Sequence, residues 1–266
     1  MTFVHRFGAA CLLVQCLAAV QAAPLLIVNY SKEPTEFASA RAGQLALDHS
    51  VITDFIAPQL TGKSVLIMPG MSSYQLLMTS KPILTEFVEN GGYLWLNLAG
   101  SGGCAPDAAP GGVSFVAWNC NSAPHDQETI ASPTHSYFTG AFSPAAKPLT
   151  AADFANWQTT DAGHLDNIPA NAKVLLSNAK GPALVEYGVG KGWVVVSTLT
   201  YGWATGGARG AALDNMLLYA AAQVRDSAAP MGPPPPEAGA VPEPGGLLLS
   251  ATGVAAIACG RASKGR

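Results

Sequence analysis

The sequence predicts one α/β domain over residues 23–227, with a mostly parallel sheet and helices on both faces of the sheet. Three short apolar runs lack the polar alternation of half-exposed strands: PLLIVNY (24–30), SVLIMPG (64–70) and GYLWLNLAG (92–100). Runs of this kind are typical of strands that are buried on both faces. Helix-spaced segments separate them, and strands that alternate with helices favour right-handed βαβ units.

The segments between these runs carry helical signals. Ala and Leu at helical spacing predict a first helix over 37–47, and VITDFI (51–56) is a candidate second strand. Residues 73–90 predict a longer helix, in which Pro82 suits the first turn of the second half. The Asn-Gly pair at the end of this segment supplies a C-terminal cap.

The second half of the domain departs from this alternation. Residues 100–124 are rich in Gly and Pro and predict a loop. ALVEYGVGKGWVVVSTL (183–199) consists of two apolar runs around a glycine-rich turn, which predicts a β-hairpin. An Ala- and Leu-rich segment over 208–225 predicts a final helix that packs back on the sheet.

The charge composition excludes nucleic acid as a partner. Charged residues make up 12% of the chain and the formal net charge is −3, so the chain has no excess of positive charge for binding phosphates. Gly62-Lys63-Ser64 fits a loose phosphate-loop pattern, but a strand follows it, whereas a phosphate loop opens a helix. We therefore expect no nucleotide and no other cofactor.

Residues 1–22 predict an export signal. Arg6 supplies a positive charge, and a short apolar run over 9–20 follows it. Small or β-branched residues at 20–22 offer a cleavage site. An uncleaved membrane anchor is the alternative, although the run is short for a transmembrane helix.

The cysteines fit an exported chain. Cys11 and Cys16 fall in the predicted signal and Cys259 in the tail, so the body keeps Cys104 and Cys120. An oxidising compartment favours a disulfide between these two, which would stabilise the fold by roughly 3 kcal/mol. The alternatives are that both stay reduced, or that a base or helix dipole activates Cys104 as a nucleophile.

The chain ends in three segments of different character. Residues 228–240 include MGPPPP and predict an extended, semi-rigid linker. Residues 245–259 are apolar or small apart from a Ser and a Thr, and predict a short transmembrane segment. As a helix this segment spans only about 23 Å, less than the ~30 Å of a hydrocarbon core. Basic residues follow it, as is typical of the cytoplasmic side of a membrane.

This tail, residues 241–266, resembles a PEP-CTERM sorting signal. VPEP (241–244), a short Gly/Leu/Ala-rich helix and a basic end occur in that order. The resemblance implies delivery by the secretion machinery, a transient membrane anchor and recognition by an exosortase-type membrane protease. It also implies cleavage near Pro242, Glu243 and Pro244, with release to the envelope, surface or extracellular matrix. A plain, unprocessed C-terminal anchor is the alternative.

The body resembles the class I glutamine amidotransferase-like, flavodoxin-like domains. VLIMPG (65–70), ILTEFVENGGYLWLNLAGSGG (83–103) and LVEYGVGKGWVVVSTL (184–199) carry the resemblance. It implies a mostly parallel sheet between helices, followed by a C-terminal hairpin and helix. In the active family a nucleophilic cysteine lies in the turn that here reads AGSGG (99–103). This turn has no cysteine, which argues against glutaminase activity.

Ser101, in the same turn, is a candidate nucleophile. AGSGG nearly matches the G-x-S-x-G elbow, in which small neighbours expose the serine hydroxyl. His135 or His125 is the candidate base. The acidic residues that could orient the base are Asp126, Glu128 and Asp153. The alternative is a plain glycine-rich loop, because the following CAPDAAPGG is a poor helix former.

Two further features concern metals and sugars. His125, Asp126, Glu128 and His135 could bind a divalent ion, but they lack the spacing of a metal site, and we expect no metal. THSYFTG (134–140) resembles a His-Pro-x-x-x-Gly pattern of sugar-related relatives of this fold, with serine in place of the proline. Tryptophans could also stack on carbohydrate, although core packing explains those in strands. The tryptophans are Trp95, Trp118, Trp157, Trp193 and Trp203.

These observations favour an exported, non-catalytic binding or structural protein associated with extracellular polysaccharide. A hydrolase that acts on an envelope or matrix glycan through Ser101 and a histidine is the first alternative. An unprocessed, membrane-anchored domain is the second.

Overall fold

A computed structural model describes most of the predicted body. The described residues are 25–28, 32–53, 60, 64–67, 74–99, 104–120, 127–157, 159–201 and 207–223. All of them lie in the compact unit that extends to Met231. The predicted signal peptide, linker and sorting tail lie outside the described residues, as do Ser101, His125 and Asp126.

The described residues form two sheets. The strands of the large sheet are β1 (Leu25–Val28), β2 (His49–Ile52), β3 (Ser64–Ile67), β4 (Tyr93–Asn97), β6 (Thr129–Ile130), β8 (Lys173–Ser177), β9 (Pro182–Val189) and β10 (Gly192–Ser197). They follow the order β2-β1-β3-β4-β10-β9-β8-β6. A small antiparallel sheet pairs β5 (Ser114–Ala117) with β7 (Gly163–Asp166).

The large sheet is mixed, with its parallel part first. Strands β1 to β4 and β10 run parallel, with Tyr93 of β4 opposite Ser64 of β3 and Trp193 of β10. The strands β9, β8 and β6 continue it in antiparallel pairs. The predicted α/β class with a mostly parallel sheet and a C-terminal hairpin is therefore confirmed.

Helices cover both faces of this sheet, as predicted. The helices are α1 (Lys32–Gln44), α2 (Tyr74–Glu89), α3 (Ser136–Thr139) and α4 (Gly207–Gln223), with 3₁₀ turns at Trp118–Cys120 and Ala151–Phe154. Alternate residues of β1 separate two apolar cores. Leu25 and Ile27 pack with α1 and α4, whereas Leu26 and Val28 pack with α2 and the small sheet.

The structure corrects one predicted segment. Residues 100–124 were expected to form a loop, but four of them form β5 and three form the 3₁₀ turn after it. Phe115 and Ala117 of β5 are buried against the large sheet, so tertiary packing outweighs the Gly- and Pro-rich surroundings. Pro82 lies within α2, which continues as one helix through it.

The predicted hairpin is present as β9 and β10. Gly190 in its turn has φ +59, a conformation that glycine adopts readily. At Gly192 the backbone approaches closely, because a Cβ there would lie 2.2 Å from the carbonyl oxygens of Gly92 and Val88. This contact fixes the start of β10 against the turn that follows α2.

Within the described part of the chain, no helix has both the length and the apolar character needed to cross a membrane. The predicted span over 245–259 lies outside that part.

Candidate functional site

Polar side chains collect where β4 and β10 end. Asn97 and Ser197 are the last residues of these two strands and lie opposite each other in the parallel ladder. Both are buried, and no described residue donates a hydrogen bond to the Oδ1 atom of Asn97. Ligands of parallel α/β sheets bind at the carboxyl ends of the strands. This edge is therefore the candidate functional site, which we call the carboxyl edge.

Asp161 reaches the carboxyl edge through the segment after β10. It forms an isolated bridge with Leu199, and the Ala162 N–H donates to the Thr198 carbonyl at 2.9 Å. The Asp161 side chain is fully buried. Its Oδ1 accepts from the Gly163 N–H at 2.8 Å, and its Oδ2 accepts from the Asn178 amide at 2.9 Å. Donors that favour an ionised carboxylate thus surround Asp161.

Glu128 lies beside Asp161 and is 1% exposed. Its N–H donates to the Phe154 carbonyl at 3.0 Å, which places it just before β6. No described residue donates to either of its carboxyl oxygens. Burial, followed by the hydrogen bond and charge of Asp161, raises the pKa of Glu128 to about 10. At neutral pH Glu128 therefore keeps its proton and can donate it in a hydrogen bond to Asp161.

Two tyrosines connect the carboxyl edge to α4. The hydroxyl groups of Tyr201 and Tyr137 lie 2.9 Å apart, and Tyr137 also donates to the Ala212 carbonyl at 3.2 Å. Burial is the main cause that raises the pKa of both tyrosines, so both hydroxyls stay protonated. The Glu128 charge contributes to the shift at Tyr201, which shows that the two side chains are neighbours.

His135 lies in the core rather than open to solvent. It is the N-cap of α3, where its Nδ1 accepts from the Tyr137 N–H at 3.3 Å. Its Nε2 donates to Glu186 Oε2 at 3.0 Å, and the Tyr219 hydroxyl donates to Glu186 Oε1 at 3.0 Å. Both ring nitrogens of His135 are therefore already hydrogen-bonded. Burial and the nearby Glu186 carboxylate raise the pKa of Tyr93 well above its ordinary value.

The other candidate residues are not brought together with His135 in the described structure. Ser101, His125 and Asp126 lie outside the described residues. Asp153 caps its own 3₁₀ turn, where it accepts from the N–H of Thr150 at 2.7 Å. Among the residues that the structure describes, no group of three or more His, Cys, Asp or Glu side chains could hold a metal.

The two body cysteines are adjacent. The Cys104 N–H donates to the Sγ atom of Cys120 at 3.0 Å, and no disulfide joins the two residues in the structure. Burial and the neighbouring thiol raise the pKa of Cys104, which disfavours the thiolate that a catalytic cysteine needs. The predicted disulfide between Cys104 and Cys120 stays a prediction.

Sequence reasoning missed the partners that define these clusters. Asp161 and Asn178 stand in polar loop-like segments that gave no signal of burial. Glu186 offered one, because it is a lone charged residue in the apolar run ALVEYGV. A charge that interrupts a buried strand needs a partner in the core. Here the partners are His135 and Tyr219.

No family model and no curated protein matches this chain. Solved structures of similar fold include a protein from Thermoplasma acidophilum whose name describes a GMP synthase component. It is 10% identical with a TM-score of 0.47, and the match covers 75% of this chain and 94% of that chain. A cytoplasmic protein from Salmonella typhimurium LT2 is 12% identical with a TM-score of 0.44, covering 73% and 98%.

A second cytoplasmic protein from Salmonella typhimurium is 14% identical with a TM-score of 0.45, covering 74% of this chain and 98% of that one. Likeness at this level assigns no family. The α/β class of the body rests on the sheet order and the two covered faces described above.

Proposed function

We propose that this chain is an exported protein whose body is a non-catalytic binding or structural component associated with extracellular polysaccharide. The observation that carries the non-catalytic part is the internal use of the polar groups near the sheet. Both ring nitrogens of His135 are hydrogen-bonded in the core. Glu128 and Asp161 are 1% and 0% exposed and lie against each other.

The proposed destination comes from the tail. The order VPEP, apolar segment and basic end in residues 241–266 is that of a PEP-CTERM sorting signal. We infer export by the secretion machinery, temporary anchoring, and cleavage by an exosortase-type protease near Glu243. The processed body would then reach the envelope, the cell surface or the extracellular matrix.

We further infer that the body is a degenerate amidotransferase-like domain. The turn after β4 reads AGSGG, so the position of the family's nucleophilic cysteine holds no thiol. A small-residue turn without a nucleophile keeps the shape of the sheet edge and loses the chemistry.

A glycan hydrolase is the second candidate function, and one observation favours it. Glu128 is held protonated at neutral pH, which is the state of a general acid, and it lies beside an ionisable partner. Asn97 adds an acceptor that no described residue satisfies. In this alternative Ser101 with a histidine, or the carboxyl pair itself, would act on an envelope or matrix glycan.

Incubation with the native polysaccharide separates the two functions. We expect protein purified from its host to co-sediment with the extracellular polysaccharide of that host and to release neither free sugar nor acyl groups. Ser101→Ala and Glu128→Gln should co-sediment as the unaltered protein does. Release of sugar or acyl groups that either substitution abolishes would establish the hydrolase instead.

A further inference from the structure

Trp118 is an unusually accessible tryptophan. Its side chain is 52% exposed, and in the described residues only Val51, at 44%, is a similarly exposed large hydrophobic residue. An indole contributes a large contact area and a polar N–H, which is why tryptophan is enriched where one side meets a ligand.

The backbone around Trp118 is firmly placed. Its N–H donates to the Ala162 carbonyl at 3.0 Å, which fixes it beside the start of β7. At the other end of the same 3₁₀ turn, the Cys120 Sγ accepts from the Cys104 N–H at 3.0 Å. The indole is therefore presented by a turn held at both ends, which limits the ordering cost of binding a ligand.

The small sheet continues from Trp118 with polar groups. In the antiparallel pair, Val116 lies opposite His164 and Ser114 lies opposite Asp166. The Asp166 side chain is 59% exposed, and its Oδ1 lies 3.8 Å from the Nε2 of His164. Four residues separate Trp118 from the position opposite Asp166, which is about 13 Å along a strand. An aromatic platform and an exposed carboxylate thus stand at opposite ends of one surface.

We propose that Trp118, His164 and Asp166 form a binding surface for a neutral polysaccharide chain. The C–H face of a sugar ring stacks on the indole, and hydroxyl groups further along the chain donate to the Asp166 carboxylate. The separation of the two ends favours a chain of several sugars over a single sugar. The Asp166 charge disfavours an acidic polymer. This proposal rests on the proposed function, because it names the site that would contact the polysaccharide.

Binding of the full chain to a neutral glucan and to the polysaccharide of the host tests the proposal. We expect Trp118→Ala to weaken binding about tenfold, because it removes the stacking platform. Trp118→Phe should retain part of the affinity. Val51→Ala, which shortens the other exposed hydrophobic side chain on edge strand β2, should bind unchanged. Affinity electrophoresis at a series of polymer concentrations gives the comparison.

The outcomes separate this surface from the proposed function. If the unaltered protein binds polysaccharide and Trp118→Ala binds equally well, the Trp118 surface is wrong and the function stands. If the unaltered protein binds no polysaccharide, the polysaccharide role fails together with the surface. Thermal unfolding of Trp118→Ala should match the unaltered protein. A variant that unfolds earlier is replaced by Asp166→Asn, for which equal binding to the neutral glucan would also overturn the surface.

Discussion

Replacing His135 with alanine is expected to lower the free energy of unfolding by about 3–5 kcal/mol. The substitution removes the Nε2 donor 3.0 Å from Glu186 Oε2 and leaves that buried carboxylate with fewer donors. It also removes the side-chain cap of α3. Urea unfolding of the two proteins measures the difference.

Two further variants sharpen this prediction. The double substitution of His135 and Glu186 by alanine should cost less than the sum of the single ones, because the single variants each leave a buried group unpaired. His49→Ala is the matched control: His49 is half-buried and bonds Ser39 and the Leu47 carbonyl near an edge strand. We expect it to cost under about 1 kcal/mol. A stable His135→Ala protein that lost an enzymatic activity would show instead that His135 is catalytic.

Glu128→Gln is expected to become more stable relative to the unaltered protein as the pH rises. The folded pKa of Glu128 is raised to about 10, above the ~4.3 of an unfolded glutamate. The native state therefore keeps a proton that the unfolded chain releases. The stabilising contribution of Glu128 is complete below about pH 4 and is lost progressively as the pH rises toward 10. Glutamine does not titrate, so its contribution stays constant.

The measurement compares the free energies of unfolding of both proteins at pH 4 and pH 7. Between these values the difference should shift by about 3 kcal/mol in favour of Glu128→Gln. Gln127→Ala, a change at the exposed neighbouring residue that adds no titrating group, should show a difference that does not vary with pH. An equally constant difference for Glu128→Gln would mean that Glu128 is ionised in the folded protein and that the carboxyl pair holds no shared proton.

The fold was largely predictable because its strands are marked by local signals. The apolar run at 24–30 contains β1, and the glycine-rich turn between two apolar runs gave the β9–β10 hairpin. The strand β5 was missed, since its four residues derive their stability from burial against distant strands. Short strands in Gly- and Pro-rich surroundings carry little periodicity to detect.

The polar clusters were less predictable than the fold. Glu128 was recognised only as a possible orienter or metal ligand, because its partner Asp161 lies 33 positions away in sequence. Pairing of this kind depends on how β10 is followed by a return segment at the carboxyl edge. For His135 the sequence offered a motif, while its contact with Glu186 required the three-dimensional arrangement.

The most direct test of the account is the intact mass and cell fraction of the protein in its native host, with and without Glu243→Ala. The account predicts a body that ends near Pro242 to Pro244 and lies outside the inner membrane, and it predicts that Glu243→Ala prevents this processing. A full-length tail held in the membrane in both strains would contradict sorting. It would leave an anchored domain, and the Ser101 turn would then become the first place to look for its chemistry.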